Sequence, residues 1–192
     1  MISICIPFIR PQNMLSLINK IRKNSGIADI EILAEEDKDR IGCPKMLKKL
    51  VDKSKGDYIC FIGDDTDPQK DFLLNAFIDV YYFTNESGLV GLNDKTGRTL
   101  PTHWLASRDM LDSLGGEFFH TGYQHCFCDR ELMDRAIEQN KFYYSPSSIV
   151  LHNHPLLDTN VEPDKDYKRV YSKEVFNSDR SLYYKRKRNG WV

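Results

Sequence analysis

Three short hydrophobic runs, separated by two segments of helical period, constrain this chain more than any other feature. Ile2 to Pro7 is rich in β-branched residues, Ile30 to Ala34 repeats the pattern, and Tyr58 to Ile62 is the third run. From Pro11, Met14, Leu17, Ile18 and Ile21 recur at helical spacing. From about Pro44, a residue suited to a first turn, Met46, Leu47, Leu50 and Val51 do the same. Strands joined by crossover helices imply a parallel sheet covered on both faces, and such sheets bind ligands beyond the carboxyl ends of their strands.

The third run ends abruptly in Gly63-Asp64-Asp65-Thr66-Asp67-Pro68, three carboxylates at a sheet edge. That grouping suits a divalent cation able to neutralise a diphosphate, although adjacent acids at a turn also serve as a solvated loop and a helix cap. Pro68 is expected to open the next helix, with Phe72, Leu73, Phe77 and Ile78 on its buried side. No glycine-rich phosphate loop follows the first strand, where the chain reads Phe8-Ile9-Arg10-Pro11-Gln12-Asn13, and Gly42-Cys43-Pro44-Lys45 is not a Walker sequence. A bound diphosphate would lack a backbone cradle and need a metal to offset its charge. Arg10 either contacts the nucleotide or projects into water.

Gly88 to Asn93 reads as another strand and Asp94 to Arg98 as a turn. From Leu100 to Cys128 there is no clean period but a density of glycine, histidine and aromatics, among them His103, Trp104, Phe118, Phe119, His120, Tyr123 and His125. A long structured segment of this kind commonly forms a functional wall or lid, and its rings suit a sugar-like acceptor. Cys128-Asp129-Arg130-Glu131-Leu132 then leads into a helix with Leu132, Met133, Ala136 and Ile137 inward. Asp129 takes the capping position, where a carboxylate of locked geometry also makes a good general base. Phe142 to Tyr144 and Ser148 to Leu151 are the last short strands. They lead to His152-Asn153-His154-Pro155, where alternation on an extended chain lets at most one histidine join the acids; His152 is preferred. Oxygen plus imidazole ligation suits Mg2+ or Mn2+, and no thiolate set exists for structural zinc.

Composition bounds the remaining possibilities. The chain has 192 residues, enough for one domain with a sizeable core, and 27 basic against 28 acidic side chains, giving no push toward nucleic acid. Five cysteines, an odd number in mostly hydrophobic surroundings, read as free thiols of a reducing compartment. With neither a signal peptide nor an apolar run of spanning length, a cytoplasmic location is expected. The segment after 157 carries Tyr167, Val170, Tyr171 and Val175 at helical intervals and is expected to pack on the rest as one or two amphipathic helices. Within 183–191, the cations Lys185 to Arg188 meet phosphates, touch an anionic membrane surface peripherally, or stay solvated, the commonest outcome for such a run.

Taken together, Ile4-Cys5-Ile6-Pro7, Phe61-Ile62-Gly63-Asp64-Asp65-Thr66-Asp67, Cys128-Asp129-Arg130-Glu131-Leu132 and Val150-Leu151-His152-Asn153-His154-Pro155 resemble the inverting family 2 glycosyltransferases. The resemblance spans roughly residues 2–155. It implies an α/β chain with the A-type glycosyltransferase fold: a Rossmann-like, mostly parallel central sheet flanked by helices, with a catalytic domain over 1–157 and a small helical C-terminal extension over 158–192. It further implies Mn2+ or Mg2+, a nucleotide-diphosphate sugar donor with UDP favoured, and a carbohydrate or glycan acceptor. Asp129 would be the catalytic base. Pro7, Arg10, Glu36, Asp37, Lys45, Asp64 and Asp65 would stand on the nucleotide side, with Asp65, Asp67 and His152 as metal ligands, Asp65 ahead of Asp67. Metal-dependent phosphoryl or nucleotidyl transfer, a non-catalytic carbohydrate-binding module, and a chain that is part of a longer protein remain open alternatives.

Overall fold

The computed structural model describes residues 1–155 and 161–192. Its first half alternates strand and helix as the sequence periods require: β1 (Ile2–Phe8), α1 (Pro11–Asn24), β2 (Ile30–Glu36), α2 (Cys43–Lys53) and β3 (Tyr58–Phe61). β1 pairs in parallel with β2 on one side and β3 on the other, Ile4 lying opposite Ile32 and Cys60. The second half supplies β4 (Thr66–Pro68), α3 (Phe72–Phe83), β5 (Leu89–Asn93), β6 (Trp104–Ser107), α4 (Arg108–Ser113), α5 (Cys128–Glu138) and β7 (Phe142–His152). α6 (Lys165–Val170) and α7 (Lys173–Arg188) complete the chain. The strands form one sheet in the order β2-β1-β3-β6-β5-β7-β4, with β6 antiparallel to both β3 and β5 and β7 parallel to β5.

Period-two alternation gives the sheet two apolar faces. Ile59 and Phe61 point with Cys5, Leu89, Trp104 and Ala106 into a core shared with α2, α4, α5 and α7. Cys60 and Ile62 point the opposite way with Ile2, Ile4, Ile6, Val90, Leu105 and Val150, into a core shared with α1 and α3. Burial on both faces is what a doubly covered sheet demands, and the architecture is the mixed, mostly parallel α/β sheet with a helical C-terminal extension that the sequence implied. The boundary drawn at 157/158 lies outside the described residues.

Several local expectations change. Pro68 does not open a helix: it ends β4, whose Thr66–Pro68 pairs antiparallel with Val150–His152, and α3 begins at Phe72. Proline is tolerated there because β4 lies at the sheet edge. Ile78 and Ile137, expected inward, are 41% and 49% exposed, while Ala76 and Val80 take the buried positions on α3. The two short strands between 142 and 151 are one strand whose register against β5 shifts between Gly91 and Asn93. The aperiodic segment after Leu100 contains β6 and α4, hidden from a period reading because every residue of Trp104–Ser107 is buried.

The cationic run is not simply solvated. Helical spacing turns Arg186 inward, where Nη2 lies 2.9 Å from Glu131 on α5, and brings Lys187 within reach of Asp134. Lys185 and Arg188 face outward. Among the described residues no helix is long and apolar enough to cross a membrane.

Candidate active site

The carboxyl ends of β1, β2, β3, β5 and β7 open on one side of the sheet, and the loops leaving them wall a cleft of about 1000 Å³. Pro7, Phe8 and Ile9 line it from β1, Asp37 from the end of β2, and Gly63, Asp64 and Asp65 from the turn after β3. His103 enters at the start of β6, which runs antiparallel to β3, and His152 enters at the end of β7. The opposite wall is residues 124–130 with Phe119, and α6 contributes Asp166, Tyr167 and Arg169. Four of the chain's five histidines, all but His120, line this one cleft.

The adjacent acids have different duties. Asp64 is 6% exposed and accepts the amides of Ile9 and Arg10, both at 2.8 Å, and the Arg10 Nη1 at 2.7 Å. Its carboxylate thus holds the turn after β1; burial raises its pKa, with these hydrogen bonds and Arg10 opposing. Asp65 faces the cleft, with Oδ1 3.3 Å from His152 Nε2 and Oδ2 3.7 Å from Arg10 Nη1. Burial alone would raise the Asp65 carboxyl, but the hydrogen bond with His152, backed by the charge of Arg10, brings it down to about 2. Glycine at 63 leaves room for this carboxylate, since a Cβ there would stand 2.9 Å from Asp65 Oδ1. Asp67 sits outside the cleft lining, its Oδ1 2.7 Å from Lys20 Nζ.

The remaining nucleotide-side candidates separate similarly. Arg10 neither projects into water nor stands free: it spans Asp64, Asp65 and, at 2.9 Å, Asp164 before α6. Asp37 lines the cleft while accepting the amides of Ile41 and Gly42 at 2.8 and 2.9 Å. Glu36 lies 3.9 Å from Lys38, and Lys45 borders a separate lysine-rich surface groove on α2 with Lys48, Lys49 and Lys53; neither lines the cleft.

Asp129 is the second residue of α5, not its cap; Phe127 occupies the N-cap position at φ 67°. The side chain opens into the cleft and takes the Arg130 amide at 2.8 Å. Burial nevertheless pushes its pKa up to about 6, against that bond and the Arg130 charge, so near neutral pH it is poised to exchange a proton.

Two histidines that the sequence reading named but did not place with the acids stand beside them. His154 joins the cleft beside His152, ring centroids 4.7 Å apart, because the strand ends at His152 and the alternation rule lapses there. His103, 3% exposed, packs 4.7 Å from His152 with neither ring nitrogen hydrogen-bonded among the described residues; burial lowers its pKa to about 3 and keeps it neutral. Its signal was position, one residue before a fully buried strand. Among the described residues no three His, Cys, Asp or Glu side chains form a group that would hold a metal by themselves. Asp65 and His152 do form an oxygen-plus-imidazole pair of the kind that suits Mn2+ or Mg2+, and the unpartnered His103 ring beside them leaves polar capacity unused. All five cysteines are free; burial pushes Cys43 and Cys126, at the cleft, up to about 12, so they are poor nucleophiles.

No protein-family model matches the chain, and none of the curated proteins does. Solved structures do. A mannosyltransferase from Pyrobaculum calidifontis, in complex with GDP-Man and Mn2+, matches at TM-score 0.61 and 14% identity over 79% of this chain, which spans 56% of that protein's length. S. aureus TarS 1–349 in complex with UDP matches at TM-score 0.62 and 13% identity, covering 94% of this chain and 72% of that one. Glucosyl-3-phosphoglycerate synthase from Mycobacterium tuberculosis, with Mn2+, UDP and glucosyl-3-phosphoglycerate, matches at TM-score 0.62 and 14% identity, covering 94% and 79%. With the strand order and the cleft at the carboxyl ends of the parallel strands, these matches give the chain the A-type glycosyltransferase fold.

Proposed function

We propose that the protein is a metal-dependent inverting glycosyltransferase that moves a sugar from a nucleotide-diphosphate sugar, a UDP-sugar first, to a hydroxyl of a carbohydrate acceptor. The observation that carries this reading is the pairing of two opposed groups across one cleft. Asp65, held ionised beside His152, stands on the β3 side, and Asp129, with its pKa raised to about 6, stands on the α5 side. The three similar structures, each solved with a nucleotide or nucleotide-sugar, two of them also with Mn2+, support the choice of donor class.

In this reading Pro7, Phe8 and Ile9 receive the nucleotide, and Asp64 keeps that turn in place through its amide contacts. Asp65 and His152 would hold Mn2+ or Mg2+, which when bound supplies positive charge to the departing diphosphate. Asp129 takes the proton from the acceptor hydroxyl at its carboxylate oxygen. The deprotonated acceptor oxygen then bonds to the anomeric carbon as the bond to the diphosphate breaks on the opposite side, so configuration inverts. The neutral rings of His103, His125 and His154 and the face of Phe119 offer a sugar hydrogen-bonding edges and an apolar wall. Incubating the protein with UDP-, GDP-, CDP- and ADP-sugars plus Mn2+ and measuring released nucleoside diphosphate tests the proposal. Release from one nucleotide class, lost in Asp129→Asn, is expected; no release from any would refute it.

A further inference from the structure

We infer that Asp179, on α7, is a positioning residue for the acceptor wall of the cleft, acting through the backbone of residues 124–126; this rests on the reading of Asp129 as the base. Asp179 is 1% exposed. Its Oδ1 accepts the Gln124 amide at 3.0 Å, and its Oδ2 accepts those of His125 and Cys126 at 2.9 and 2.8 Å. Three successive amides around one carboxylate form a concave anion-binding stretch of backbone. None of the three donates to a backbone carbonyl among the described residues, and no Lys or Arg there ion-pairs with Asp179. The amides therefore depend on the carboxylate, and the carboxylate on the amides.

What makes this contact more than adhesive is where it falls. Gln124, His125 and Cys126 all line the cleft, and the chain then turns through Phe127, at φ 67°, straight into Asp129. The wall runs close to the start of α2, where the Gln124 carbonyl oxygen would stand 3.0 Å from a Cβ added at Gly42. Asp179 holds it from the other side. α7 has separate anchors in Arg186 to Glu131 and in Tyr183 and Lys187 to Asp134, so its docking does not hang on this residue. Alanine also suits a helix interior better than aspartate, so Asp179→Ala should leave α7 folded. Asparagine is no substitute, since its NH2 would face amide donors.

The test compares wild type with Asp179→Ala and Asp179→Asn in three measurements: turnover of whichever nucleotide-sugar the wild type uses, calorimetric UDP affinity with Mn2+, and amide hydrogen exchange. Turnover is expected to fall about 10²-fold in both variants, the cost of a small misplacement of reacting groups, with UDP affinity unchanged. Added sodium formate, filling the vacated amide cradle, should restore turnover in Asp179→Ala and leave wild type unaffected. Exchange should accelerate at 124–126 while α7 stays protected. Wild-type turnover in Asp179→Ala would overturn the inference, as would a joint fall in turnover, UDP affinity and melting temperature without formate rescue. If the wild type binds and turns over no nucleotide, the functional reading fails and the acceptor role falls with it; exchange then decides only the contact, protection retained at 124–126 in Asp179→Ala overturning the hold of Asp179 on this wall and its local loss upholding that hold.

Discussion

Asp129 and Gly63 are single positions on which the proposed chemistry of the cleft can be tested. Because burial pushes the Asp129 pKa up to about 6 and the proposed base acts when ionised, turnover should rise as pH passes upward through about 6 and then level; a flat profile from pH 5 to 8 would argue against it. The linked stability effect has the opposite sign. The folded state holds this proton more tightly than the unfolded chain, so wild type loses stability as pH rises from the ordinary carboxylate range to about 6, and Asp129→Asn should remove that loss while cutting turnover by about 10²–10⁴-fold. At Gly63, an added methyl meets the movable end of Asp65 rather than backbone. Gly63→Ala should therefore leave the melting temperature nearly unchanged while displacing the carboxylate and weakening metal-dependent nucleotide binding, readable by differential scanning calorimetry alongside titration. The acidic cluster was plain in the sequence. The division of labour within it was not, since Asp64 is spent on amides more than fifty residues earlier in the chain and Asp67 on Lys20, partners only the tertiary fold supplies.

At the scale of elements, α5 and α7 are joined by a buried charge network. Glu131, 1% exposed, accepts from Arg186 Nε and Nη2, both at 2.9 Å, and from the Tyr123 hydroxyl at 2.7 Å, with Arg135 at 3.4 Å. Removing Arg186 strands much of that charge, so Arg186→Ala should destabilise by about 3 kcal/mol, lowering the melting temperature by roughly 6–12 °C. A drop under about 2 °C would mean the pair is solvated. Amphipathic helices were legible after 160 from Tyr167, Val170, Tyr171 and Val175, but the partners of the cations were not, because a charge run reads as a solvated face until the helix is known to turn one of the four, Arg186, inward. α3 misled for a related reason: its sequence Phe72-Leu73-Leu74-Asn75-Ala76-Phe77-Ile78 is apolar nearly all round, so hydrophobicity alone did not choose the buried face.

Across the whole molecule, the sheet explains why the order of motifs was readable and their contacts less so. Parallel strands deliver their carboxyl ends to one side, so residues following β1, β3 and β7 meet whatever the loops between them do. The wall from 100 to 128 obeys no such rule: its elements are short, buried or irregular, and their placement comes from long-range ties such as Arg135 to Leu114 and Gln124 to Asp179. In the proposed function, this common edge holds a nucleoside diphosphate through a cation at Asp65. Calorimetric titration of UDP, GDP, CDP and ADP into metal-free protein, with and without Mn2+, and again into Asp65→Ala, tests it directly. One diphosphate is expected to bind only when Mn2+ is present, and Asp65→Ala to abolish the binding; no binding of any, or binding indifferent to both metal and Asp65, would refute the proposed site.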